Sequence, residues 1–236
     1  MKHKRILIFA AALLLLFGGC AVYVQTYYRA LPAAADALLD GDGVRVEETA
    51  YGWRFDGPGE EAAMIFYPGG KVEETAYAPL MRTLAADGLD ACLVRMPFRL
   101  AIFGVGQARD VMARHDYDRW YIGGHSLGGV TAAMFAARQP ETLDGVVMLA
   151  AYANGPLDAE LPVLWIVGEH DGVLNRDKYE QKKVNCPRGE EYVIPGGNHA
   201  GFGLYGPQSG DGEAGIPAAA QIRKTADRIL AFTKTG

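Results

Sequence analysis

Two periods of apolar residues share this chain. Val44-Arg45-Val46-Glu47 and Tyr51-Gly52-Trp53-Arg54-Phe55 alternate apolar with polar, the period of a half-buried strand. Ala62-Ala63-Met64-Ile65-Phe66-Tyr67 is a continuous apolar run closed by Pro68-Gly69-Gly70, as a strand covered on both faces requires. From there the periods alternate. Helical patterns over 74–87, 106–115 and 127–138 are followed by strand-like runs over 91–96, 119–123 and 145–150. A strand over 163–167, a helix over 175–184, a strand over 191–194 and a closing helix over 218–234 complete the series. A short helix from Ala30 to Leu39, stopped by Asp40-Gly41-Asp42-Gly43, precedes them. Strands alternating with helices predict an α/β fold, a mostly parallel sheet with helices on both faces. The early alternating segments suit antiparallel edge strands. No linker interrupts 29–236, so this stretch reads as one domain behind a separate segment, 1–28.

That leading segment has its own pattern. Ile6 to Val24 is 19 residues without a charge, about 28 Å as a helix and close to a bilayer core. Lys2, Lys4 and Arg5 precede it and Tyr23, Tyr27 and Tyr28 flank its far end, which places the N-terminus on the cytoplasmic side and the tyrosines at the far interface. An uncleaved signal anchor is the favoured reading, giving a single-pass cell-membrane protein with its domain outside the cytoplasm. Two others stay open: a lipoprotein signal, with Leu16-Phe17-Gly18-Gly19-Cys20 as its box, and a secreted protein cut at Ala33-Ala34-Ala35.

Composition narrows the partners. Half the residues are apolar and 22% are charged, which excludes a disordered tail or a collagen-like repeat. The net charge is −5 and falls to −8 once the three basic residues of the leader are set aside. An acidic body repels phosphate backbones, so nucleic acid is not an expected partner. There is no HExxH, no paired cysteine spacing and no phosphate-cradling loop, so neither metal nor cofactor is expected.

The stretch that carries chemistry is Gly124-His125-Ser126-Leu127-Gly128, a G-x-S-x-G pattern between an apolar strand and a helical run. In that context the serine sits on a strained turn and the two glycines give it room. Its hydroxyl stands clear at the sheet edge, and the amide of Leu127, at a helix start, points to where an oxyanion would form.

With this motif in this setting, residues 60–235 resemble the α/β-hydrolase superfamily, in particular its small lid-less dienelactone-hydrolase-like and carboxylesterase-like members. The resemblance implies Ser126 as nucleophile, then an acid and a histidine in that chain order. Asp171, after the strand 163–167, stands at the acid's position, with Glu169 as its rival. His199, in the loop after the last strand, stands at the histidine's position. The implied second oxyanion donor is the amide of Gly70, with Lys71 as the alternative, although Pro68-Gly69 stands where the family often has His-Gly. His125 and His170 are expected to be structural, and His115 to lie near the surface. The family's sheet order puts the Cys92 strand and the last strand at opposite ends, so no Cys92–Cys186 disulfide is expected.

Only Ala150 to Glu160 separates the strand ending at Leu149 from the next, too little for a lid, so an open site is expected. The Gly-rich stretch 200–212 is expected to fold over the pocket, with Tyr205, Gln208 and Asp211 as substrate or supporting contacts. The expected activity is hydrolysis of small carboxylic esters through an acyl-enzyme. Acyl transfer or perhydrolysis with the same residues is the second possibility, and a non-catalytic binding module the third.

Overall fold

Ile65 and Phe66 are adjacent in sequence and belong to opposite faces of a single sheet, each fully buried. That requirement, two covered faces, sets the architecture. The structure is a computed structural model describing residues 2–234. Its strands are β1 (Arg45–Thr49), β2 (Gly52–Asp56), β3 (Ala62–Tyr67), β4 (Asp90–Val94), β5 (Arg119–His125), β6 (Gly145–Leu149), β7 (Val163–Gly168) and β8 (Gly189–Ile194). They form one sheet in the order β1-β2-β4-β3-β5-β6-β7-β8. β1 and β2 run antiparallel at one edge, and β4 to β8 with β3 are parallel.

The helices are α1 (Lys2–Gln25), α2 (Ala78–Ala86), α3 (Gln107–Met112), α4 (Leu127–Ala136), α5 (Arg176–Lys182) and α6 (Ala218–Thr233). α2 and α6 cover one face, where Met64 and Phe66 meet Leu80, Leu84, Ala226 and Ile229. α3, α4 and α5 cover the other, where Ile65 and Ile122 meet Val111, Phe135 and Tyr179. Every residue of β3, β4, β6 and β7 is buried, which is why these strands read as unbroken apolar runs.

Two local readings shift, and the short β6–β7 connection is as read. The helix expected over 30–39 is a 3₁₀ turn, Pro32–Leu38, flanked by extended Leu31 and Leu39. The connection between β6 and β7 contains no helix, so these parallel neighbours are joined by irregular chain. The strand expected to reach residue 96 stops at Val94, and at Pro97 the chain turns through two left-handed residues, Phe98 and Arg99. Cys92 and Cys186 are free and buried, and burial pushes their thiols up to about 12 and about 11.

Among the described residues no helix is long and apolar enough to cross a membrane. Side chains of α1 including Ile6, Leu7, Ile8 and Cys20 lie outside the described set, so the length of the apolar run and the lipobox remain properties of the sequence.

Candidate active site

Parallel strands deliver their C-terminal ends to one edge of a sheet, and loops from β3, β5, β7 and β8 meet there. Ser126 joins β5 to α4 at φ 51°, ψ −121°, a backbone state costly for any residue with a Cβ. Its amide donates to the Leu149 carbonyl at 2.9 Å, which anchors the turn to β6. A Cβ on Gly124 would lie 2.5 Å from the Gly128 carbonyl carbon, and one on Gly128 would lie 2.0 Å from the Tyr67 oxygen. Only glycine fits either place. Ser126 is half-buried rather than sealed inside.

Asp171 follows β7 and His199 follows β8. The structure brings them together: His199 Nδ1 donates to Asp171 Oδ2 at 2.9 Å, and both side chains are buried. The other carboxylate oxygen accepts the amides of Val173 and Leu174 at 2.9 and 2.8 Å. Burial pulls the Asp171 carboxyl upward. The hydrogen bond and charge of His199, with the two amides, outweigh it and hold the group below its ordinary value. With Nδ1 donating, Nε2 is the basic nitrogen, and it is buried without a hydrogen-bond partner. Glu169 is held elsewhere, accepting the Gly196 amide at 2.8 Å. His170 Nδ1 lies 2.9 Å from the Glu213 carbonyl. His115, half-buried, is 2.9 Å from the Tyr51 hydroxyl.

The loop after β3 separates the two candidate amides. The Lys71 amide is committed to the Arg99 carbonyl at 2.8 Å, and Lys71 itself is left-handed at φ 58°. The Gly69 amide donates to the Tyr77 hydroxyl at 3.2 Å. The Gly70 amide donates to no group among the described residues. Gly70 backs onto Leu127, where a Cβ would come within 3.0 Å of the leucine Cδ2. Leu127 opens α4, and first-turn amides have no partner inside their helix.

Three supports surround these groups, two of which, Tyr77 and the segment 27–31, were not legible in the sequence. The Tyr77 hydroxyl lies 2.8 Å from His125 Nδ1 and accepts the Gly69 amide, so the residue before the serine is tied to the loop after β3. The His125 ring lies 4.5 Å from that of His199; burial, reinforced by His199, holds His125 well below its ordinary pKa. Asp211 accepts amides from both neighbouring loops: Gly172 and His199 at 3.1 Å, Ala200 and Gly212 at 2.8 Å. Tyr205 is buried, with its hydroxyl donating to Gln208 at 3.0 Å.

The third support is the segment 27–31. The Tyr28 amide donates to the Lys71 carbonyl at 2.8 Å, and the Tyr28 carbonyl accepts the Glu73 amide at 2.9 Å. Leu31 donates to the Leu204 carbonyl at 2.8 Å, and the Ser209 amide donates to the Tyr28 hydroxyl at 3.1 Å. The strap thus ties the β3 loop to the β8 loop and crosses the expected boundary at residue 28. Among the described residues no three His, Cys, Asp or Glu side chains converge as metal ligands.

Comparison with known proteins agrees with this layout. Residues 63–223 match the profile of the alpha/beta hydrolase family. A serine hydrolase-like protein of Danio rerio is 36% identical over 75 residues, 32% of this chain and 22% of that protein, so the match spans about a fifth of the relative's length. Carboxylesterase CesB from Bacillus subtilis superposes with a TM-score of 0.60 at 14% identity, covering 86% of this chain and 95% of that one. Dienelactone hydrolase from Anabaena variabilis does so with a TM-score of 0.57 at 14% identity, covering 80% and 98%. At that identity the two structures speak to the fold alone.

Proposed function

The chain belongs to the alpha/beta hydrolase family, and on that premise we propose that it is a serine hydrolase cleaving small carboxylic esters. The observation that carries the reading is the buried Asp171–His199 pair: the His199 ring packs 4.5 Å from that of His125, the residue before Ser126, and its Nε2 makes no hydrogen bond, to Ser126 or otherwise, among the described residues. The ester substrate is part of the proposal, taken by analogy from the fold this chain shares with a carboxylesterase and a dienelactone hydrolase.

In this reading His199 Nε2 takes the proton of Ser126 as the serine oxygen attacks the acyl carbon. Asp171 keeps Nδ1 protonated and stabilises the imidazolium that forms. The amides of Leu127 and Gly70 donate to the developing oxyanion. Lys71 is not a donor in this scheme, because its amide is spent on Arg99. The imidazolium then gives its proton to the departing alcohol, leaving an acyl-enzyme. Water, deprotonated by the same Nε2, releases the acid and restores the serine. Wild type should hydrolyse p-nitrophenyl acetate and Ser126→Ala should not; equal turnover by both would refute the assignment.

We further propose that the segment before residue 29 is retained as a membrane anchor. The basic start and 19-residue apolar run of the sequence favour it. So do the strap's hydrogen bonds to the site and the burial of Ala34, because a cut at Ala33-Ala34-Ala35 would remove the strap.

A further inference from the structure

Phe98, Ile102 and Phe103 lie on one short loop and are 61%, 42% and 62% exposed. Phe98 and Phe103 stack edge to face with ring centroids 5.9 Å apart, and with Leu100 they line one side of a groove of about 610 Å³. The other side is α1, through Leu15, Leu16, Gly19, Tyr23 and Val24. A contiguous apolar patch of this kind marks a contact surface in a water-facing body.

Three cations border it. Lys71 Nζ lies 3.9 Å from the centre of the Tyr23 ring, and the Arg99 guanidinium lies 3.6 Å from that of Tyr27. Arg29 approaches Tyr27 at 5.3 Å. None of these three cations is ion-paired among the described residues, and the Arg99 Nε is buried without a partner. Of the acids in the adjoining segment, Glu74 is paired with Arg95, and Glu73 accepts the Ala30 amide beside Arg29. In a body of net charge −8, three cations cluster on this one rim.

We propose that this rim, Lys71, Arg29 and Arg99 around Phe98, Ile102 and Phe103, docks onto an anionic lipid leaflet. Three features specify a bilayer. Exposed aromatics beside tyrosines and unpaired cations are what the headgroup boundary accommodates. Cations near an anionic leaflet are attracted over about a Debye length. And the groove is continuous with the apolar helix that leaves the body at this point. Because the Lys71 amide is bonded to Arg99, the docked rim is also the rim of the loop carrying Gly70. The mouth of the site then faces the leaflet, and esters dissolved in it arrive without crossing water. That last consequence rests on the hydrolase reading; the docking surface does not.

The intact chain is reconstituted in brominated phosphatidylcholine vesicles with and without phosphatidylglycerol. In Phe103→Trp, and in Phe98→Trp as a second probe, the added emission over wild type should be blue-shifted, quenched by the bromines, and more so with phosphatidylglycerol. Arg29→Gln in the Phe103→Trp background should weaken the anionic-lipid effect about five-fold. Added emission typical of an indole in water, or quenching identical in the two lipids, would overturn the proposal. Hydrolysis of water-soluble p-nitrophenyl acetate by the same samples reports the Ser126 reading separately.

Discussion

The Tyr77 hydroxyl lies 2.8 Å from His125 Nδ1 and accepts the Gly69 amide at 3.2 Å. One buried oxygen therefore fixes the distance between the turn that carries Ser126 and the loop that carries Gly70. Tyr77→Phe removes that oxygen and leaves two buried polar groups unpaired, at about 1–3 kcal/mol each. A fall in kcat of about ten-fold or more is expected with little change in KM, because the amides act chiefly on the transition state. Kinetics on a short ester, with denaturant unfolding alongside, separates this from a loss of folded protein.

Asp211 holds the loops of Asp171 and His199 to one another through the amides of Gly172, His199 and Ala200. Asp211→Ala should lower kcat/KM by about 100-fold, a misplacement effect. Asp211→Asn keeps one acceptor oxygen and should lie between. Activity of the alanine variant equal to wild type would remove Asp211 from the account.

The two acids after β7 make opposite predictions. Asp171→Asn should cost about 10⁴ in kcat, since the amide cannot hold His199 in the same tautomer. Glu169→Gln, which touches only Gly196 and the rim of His170, should stay within a few-fold of wild type. A kinetic comparison of the pair on one ester decides between them.

His125 is buried and held well below its ordinary pKa, so in acid the unfolded chain takes up a proton that the folded chain refuses. Stability is then complete above the unfolded value, about 6.5, and is lost as pH falls below it toward the folded value, by up to about 1.4 kcal/mol per pH unit. Asp171 is also depressed, and its contribution is lost at lower pH, below about 3.9. Urea unfolding at pH 7, 6 and 5 should show the first slope in wild type and a shallower one in His125→Gln.

The site was legible where chemistry is local or set by strand order. Ser126 is marked by glycines two positions away on each side, whereas Asp171 and His199 were placed by the family's chain order: β7 is a buried apolar run, but β8, before His199, is mostly exposed and carries little pattern of its own. Tyr77 carries no such mark. It is 48 positions from His125, and only the packing of the first crossover under β5 brings the two together. The strap at Tyr28 was hidden for the same reason, since its partners Lys71, Leu204 and Ser209 are distant in sequence. Local misreadings have local causes. Pro32 and the short reach of 30–39 yield a 3₁₀ turn, because a helix that short needs tertiary packing to persist. The left-handed Phe98 and Arg99 have no glycine to betray them.

The central claim, that Ser126 is a nucleophile activated by His199, is tested most directly by intact-protein and peptide mass spectrometry after exposure to a fluorophosphonate. One phosphonyl adduct, mapped to Ser126 and absent in both Ser126→Ala and His199→Gln, is the predicted result. An adduct on another residue, or labelling that persists in Ser126→Ala, would contradict it.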